Sequence, residues 1–207
     1  MLFAVVLAAP VFAQDMIAVG WSGSVYALDS YTGATNLLGY GAFGQNAVAH
    51  DDTGGLWSTS RGASGSVYSL TSLDPATGAA STAAANFSDV RAMESAGGTT
   101  LWAIVDGTPD ELVTIDVLTS QVTVIGSTGY TGVQAIAALD GVLYGWDVNF
   151  GLLTIDPATG NATDVDPAVG GSGDVQWLAR RSDGKLVGGH NGLYEIDPST
   201  GGTTQIA

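Results

Sequence analysis

The sequence predicts an all-β fold, a β-propeller of five four-stranded blade units, and three observations carry that prediction. An Asp-x-x-Thr-Gly-like turn follows a short apolar run five times, beginning at Asp29, Asp74, Asp116, Asp156 and Asp197. The spacings of 45, 42, 40 and 41 residues fall in the range of propeller blades, where one repeat is one small sheet. Between the turns, apolar runs of a few residues alternate with Gly, Pro, Asn, Asp and Ser, which is the punctuation of short strands.

Taken from the N-terminus, the first element has two readings. Leu2 to Ala9 is apolar, and Pro10 and Val11-Phe12-Ala13 follow before Gln14-Asp15. This reads as a signal peptide over residues 1–13 with cleavage after the small residue Ala13, although no basic residue follows Met1. The rival reading makes Phe3 to Ala9 a strand that closes the ring. The signal reading is preferred, which leaves 14–207 as one five-repeat domain of an exported protein, secreted or periplasmic. No lipobox cysteine and no apolar run of spanning length marks a membrane anchor.

The repeats then line up strand by strand. Opening strands are Ile17 to Trp21, Leu56-Trp57-Ser58, Leu101 to Val105, Leu143 to Trp146 and Leu186-Val187-Gly188. Second strands contain Val25 to Leu28, Val67 to Leu70, Leu112 to Ile115, Gly151 to Ile155 and Leu193 to Ile196. With the opening strands taken as innermost, Gly20, Gly145, Gly188 and Gly189 relieve crowding at the centre of the ring. The fifth unit ends after Thr203-Thr204-Gln205-Ile206, so the last blade is expected to be incomplete or closed by an N-terminal strand. An unclosed edge would pair with another chain, and the expected state is a monomer or a strand-exchanged oligomer.

The turn explains its own composition. Asp accepts hydrogen bonds from amides two and three residues on, Pro75, Pro157 and Pro198 preset φ, and Gly takes the left-handed conformation. The third turn has Val117 for Pro and Ser120 for Gly, and is expected to be the least ordered. The aspartates lack the dense ligand spacing of calcium loops, so they read as structural.

Composition excludes several function classes. The net charge is −15, from 20 acidic against five basic residues, and a phosphate-binding surface needs the clustered Lys and Arg that this chain lacks. Nucleic acid and anionic membranes are therefore poor partners. There is no cysteine, hence no disulfide, thiolate metal site or cysteine nucleophile. His50 and His190 stand without metal-ligand spacing, and no nucleophile elbow or phosphate loop is present. The carboxylate pair Asp51-Asp52 reads as a connection, because adjacent residues point apart.

Val25 to Gly33, with its echoes at Leu152 to Gly160 and Leu193 to Gly201, resembles the repeat of exported bacterial propellers of the quinoprotein-like and YVTN-like type. The resemblance implies the propeller fold. Where quinoprotein blades carry a tryptophan after the turn, this chain has Leu37-Leu38 or Val124-Ile125. The quinone enzymes have seven or eight units against five here, so no cofactor is carried over, and no metal or catalytic residue is assigned.

The function expected is a non-enzymatic binding or scaffold module for a protein partner. One alternative is a lectin-like propeller binding glycan through Trp57, Trp102, Trp146 and Tyr194. The other is a hydrolase or lyase at the channel mouth. The loops after the opening strands are expected to bring Trp21, Arg61, Asp106, Asp147 and His190 to one mouth as a small-ligand site.

Overall fold

The computed structural model describes residues 2–6, 15–61 and 68–207. Among them are five four-stranded antiparallel sheets and no helix. The first blade is β1 (Leu2–Val6), β2 (Met16–Gly20), β3 (Ser24–Leu28) and β4 (Thr35–Tyr40). The second is β5 (Gln45–His50), β6 (Leu56–Arg61), β7 (Tyr68–Leu73) and β8 (Ala80–Phe87). The third is β9 (Val90–Gly97), β10 (Thr100–Val105), β11 (Glu111–Asp116) and β12 (Gln121–Ser127). The fourth is β13 (Val133–Leu139), β14 (Val142–Asp147), β15 (Gly151–Ile155) and β16 (Ala162–Asp164). The fifth is β17 (Trp177–Arg180), β18 (Leu186–Gly189), β19 (Leu193–Ile196) and β20 (Thr203–Gln205).

In every blade the sheet order is the chain order, so the first strand of each is innermost. These five strands touch around the ring: β1 lies against β17 and β5, β5 against β9, β9 against β13, and β13 against β17.

The blades therefore begin one strand earlier than the sequence reading placed them. The runs taken as innermost, with Gly20, Gly145, Gly188 and Gly189, are second strands. Crowding at the centre is relieved by alanine instead: Ala47, Ala49, Ala92, Ala135, Ala137 and Ala179 on the inner strands are all buried. With this phase the last blade is complete, and the N-terminal strand supplies the inner strand of the first. Leu2 pairs with Gly20 and Val6 with Met16 in that sheet. The cleavage position after Ala13 and the strand residue Val67 lie outside the described residues.

The core is a set of interleaved layers between neighbouring sheets. Leu56 and Leu73 of the second blade join a cluster with Ile17, Val25 and Leu28 of the first, and Val187 and Leu193 of the fifth. Strand faces thus bury large residues against the next blade, as in packed sheets.

The repeat turns join third to fourth strands and dock against the preceding blade. A Cβ on Gly160 would lie 2.6 Å from the carbonyl oxygen of Gly126 on β12, and one on Gly78 would lie 2.8 Å from Val25 Cβ on β3. Gly33, Gly78, Gly160 and Gly201 all have φ between 69 and 82°, so the turn glycine serves both left-handed geometry and close approach. The third turn keeps the pattern. Asp116 accepts from the amides of Leu118 at 3.0 Å and Thr119 at 2.9 Å, Ser120 adopts φ 60°, and Val117 is buried in the core.

Candidate functional site

The inner strands all run the same way, so one mouth of the channel is formed where they begin. There Asn46, Arg91 and Gln134 are each the extra residue of a β-bulge: pairing skips from Gln45 to Ala47, from Val90 to Ala92 and from Val133 to Ala135. A bulge turns its extra side chain out of the sheet alternation. All three line a cavity of 220 Å³, with Gln176 just ahead of β17 as the fourth polar residue. Trp21, Arg61, Tyr68 and Asp89 complete it.

Its charges are mutually engaged. The Arg91 guanidinium lies 3.0 Å from Asp106 and 3.3 Å from Asp89, and donates to Gln134 Oε1 at 3.4 Å. Asn46 Nδ2 donates to Asp89 at 3.1 Å and to the Val90 carbonyl at 2.8 Å. The Arg61 guanidinium lies over the Tyr68 ring at 5.6 Å. Burial, and then hydrogen bonding to Asp89, push the Tyr68 hydroxyl above its ordinary pKa, so it stays a neutral donor. Behind the mouth, Asp110 ties strands together by accepting from Gly107 N at 3.0 Å and Val133 N at 2.9 Å. Burial pushes its pKa up, with those amides opposing.

Of the five residues expected at one mouth, Trp21, Asp106 and His190 sit in loops between second and third strands, and Arg61 and Asp147 end the second strands β6 and β14, all at this end of the ring. Trp21 and Arg61 line the cavity, and Asp106 reaches it through Arg91. Asp147 is buried, accepting from Asn149 N at 2.7 Å in the loop that follows it and from Gly132 N at 3.0 Å just ahead of β13. His190 lines a separate cavity of 260 Å³ at the seam between the fifth and first blades, with Nδ1 3.2 Å from the Gly173 carbonyl oxygen. The structure thus gathers three of the five around Arg91.

Around the cavity the same face is aromatic. Tyr40, Phe43 and Phe150 are 68, 54 and 49% exposed. Trp21 meets Phe43 edge to face at 6.3 Å, and Tyr130 meets Phe150 at 5.2 Å. These pairs sit in adjoining loops, where Gly44 N bonds the Trp21 carbonyl at 2.8 Å and Val148 N bonds that of Gly132 at 3.0 Å. The aromatics named for the glycan alternative are placed otherwise. Trp146 is buried, and Trp57, Trp102 and Tyr194 pack against the blade cores. The Asp51 and Asp52 carboxylates are also divided: Asp51 takes Trp57 Nε1 at 2.8 Å, while Asp52 takes Ser95 Oγ at 2.6 Å on the next blade.

No family model matches the sequence, and the search of curated proteins gives no match. Solved structures do match in fold. A gluconolactonase from Xanthomonas campestris aligns at 13% identity and TM-score 0.62, over 98% of this chain and 74% of its own. The PQQ-bound aldose sugar dehydrogenase from Streptomyces coelicolor aligns at 13% and 0.58, over 98% and 80%. The extracellular domain of a candidate one-component system from B. thetaiotaomicron aligns at 15% and 0.55, over 92% of this chain and 29% of that one. The chain is a five-bladed β-propeller. At these identities the likeness is one of fold, and function rests on the site.

Proposed function

We propose that the protein is an exported, non-enzymatic binding module that receives a protein partner on the face bearing the aromatic loops. The carrying observation is the exposure of Tyr40, Phe43 and Phe150 around a mouth that also presents Trp21 and Arg61. Aromatic residues and arginine are what protein interfaces concentrate at their energetic centres, and single-site truncations there cost about 2 kcal/mol or more of binding. Backbone bonds tie the adjoining loops that carry these aromatics, and a surface ordered before binding loses little entropy on docking. Export is supported by the extracellular likeness in fold.

The test is quantitative cross-linking of the protein in its native envelope, beside a variant with Tyr40→Ala, Phe43→Ala and Phe150→Ala. A partner captured by the parent and lost from the variant, at unchanged melting temperature, supports this reading. Equal capture by both moves the partner off this face. The mature N-terminus, read by mass spectrometry from the same sample, distinguishes cleavage after Ala13 from retention of the N-terminal segment.

A further inference from the structure

Where the inner strands end, the channel opens into a cavity of 490 Å³, at the mouth opposite the aromatic loops. His50 and Asp52 at the end of β5, Glu94 on β9, Trp102 on β10, Asp140 after β13 and Arg180 on β17 line it. Its volume lies inside the range of small-molecule sites, about 300–1,000 Å³.

The charges here are arranged differently from those elsewhere in the protein. Arg91, Arg181 and Lys185 each hold a carboxylate at 3.0 Å or less. Arg180 has no ion pair among the described residues. Glu94 accepts from Ser95 N at 3.0 Å and from Ala138 N, yet among the described residues no side-chain cation bonds it. Arg180 and His50 are within electrostatic reach of Glu94 all the same. Asp52 is already engaged, by Ser95 Oγ at 2.6 Å and Gly98 N at 3.2 Å.

A cation and an anion thus face one cavity without pairing with each other. The cost of standing without a countercharge falls on Glu94, which is half-buried, whereas Arg180 is exposed and open to a carboxylate. A simple anion meets Glu94, Asp52, Asp140 and the net charge of −15. A simple cation meets Arg180. A dipolar molecule meets neither objection, and Trp102 offers an indole for its apolar part. Burial raises the Glu94 pKa, as expected for a carboxylate awaiting a countercharge.

We propose that this mouth binds a small zwitterion, an amino acid or dipeptide, with its carboxylate on Arg180 and its ammonium on Glu94. The site is independent of the aromatic face, and either stands without the other.

Isothermal titration calorimetry of the full chain tests it with leucine, lysine, glutamate and the dipeptide Gly-Leu, each beside its N-acetyl and its amide form. At least one zwitterion binds, and its two single-charge forms bind about tenfold or more weakly, the loss expected when a charged hydrogen bond is removed. Arg180→Gln abolishes the preference for acid over amide, and Glu94→Gln abolishes that for amine over N-acetyl. Each variant first shows a cooperative melt, so loss of binding is not loss of fold. The two sources are separated by whether leucine or Gly-Leu binds. No heat with any probe at about ten millimolar, an affinity below even weak specific recognition, overturns the proposal. So does binding that ignores both substitutions.

Discussion

The guanidinium of Arg181 lies over the ring of Tyr31 at 4.5 Å, across the seam where the last blade meets the first. It also donates to the Ser30 carbonyl at 3.4 Å, to Asp183 at 2.9 Å and to Glu195 at 2.8 Å. Tyr31 in turn exchanges a hydrogen bond with Ser182 at 3.1 Å. A ring formed from one chain has a single seam where its terminal blades meet, and here one buried cation latches it. The hydrogen bonds of Asp183 first, against burial, and those of Glu195 hold the Arg181 pKa above its ordinary value.

Arg181→Ala should therefore loosen the whole ring. It strands two acids that are about one-third exposed, so the expected loss is about 2 kcal/mol, below the full cost of breaking a buried pair. For a domain of this size that is roughly 4–8 °C in melting temperature. Arg181→Lys keeps charge without the planar stack and should fall between. A change under about 1 °C for the alanine variant would show that the seam is held elsewhere.

The repeat turns make a sharper prediction, because two costs separate there. Gly160 has φ 82° and packs on the Gly126 backbone, whereas Gly184 has φ 83° and nothing near its absent side chain. Gly184→Ala carries the left-handed penalty alone, about 1–2 kcal/mol. Gly160→Ala adds displacement of a docked turn and should melt lower by several degrees more. Conversely, Ser120→Gly removes the left-handed penalty in the third turn and should raise stability by about 0.5–1 kcal/mol. Thermal melts of the three variants decide it, and equal losses at Gly160 and Gly184 would refute inter-blade docking of the turn.

Those turns were legible in the sequence because Asp, Thr and Gly each do a local job that survives in any blade. Blade phase was not legible: a periodic pattern states the length of a unit and leaves its origin open. Only contact between β1, β17 and β5 shows that Leu2–Val6 begins the ring. Trp21, Arg61 and Asp106, at or just past the ends of second strands, could be assigned to one mouth from their repeat position. Asp147 and His190 occupy equivalent repeat positions, but Asp147 turns back to the amides of Gly132 and Asn149 and His190 to the Gly173 carbonyl, which spacing does not encode. Asn46, Arg91, Gln134 and Gln176 carried a signal that went unread. They recur at 45, 43 and 42 residues, each before Ala or Trp and then a large apolar residue. Polar residues at strand starts are common, and a bulge that turns them into a channel shows only in the pairing.

Acid should unfold the protein through the same turns. Asp74, Asp116 and Asp156 have pKa values lowered chiefly by backbone amides, and Asp197 by the Ser199 hydroxyl. A folded value below the unfolded one, about 3.9 for Asp, means the unfolded state binds more protons in that window. The stability these groups contribute is present above pH 4 and is lost as pH falls through their folded values. Replacing all four by Asn should lower the melting temperature at pH 7 and flatten its decline between pH 5 and 3. An unchanged slope would assign acid sensitivity to the Arg181 and Lys185 ion pairs, where Asp183 and Glu195 are also lowered, by Arg181 and Lys185 respectively.

Glu94 carries the opposite sign. It is half-buried in the wall of the wide mouth, and its pKa is raised by burial against the opposing pull of Ser95 N, Ala138 N, His50 and Arg180. A raised carboxylate means the folded state binds the proton more tightly. Its favourable contribution is full below the unfolded value, about 4.3, and disappears as pH rises through the folded one. Glu94→Gln keeps the shape and an oxygen to accept the two amides, and removes the charge. The variant should therefore melt higher than the parent at pH 7, each kcal/mol appearing as roughly 2–4 °C, and the two curves should converge at pH 4 and below. Melts at both pH values settle the sign. A variant less stable than the parent at pH 7 would mean that Arg180 and His50 already compensate Glu94 in the empty cavity. The charge separation from which a dipolar occupant is inferred would then not exist.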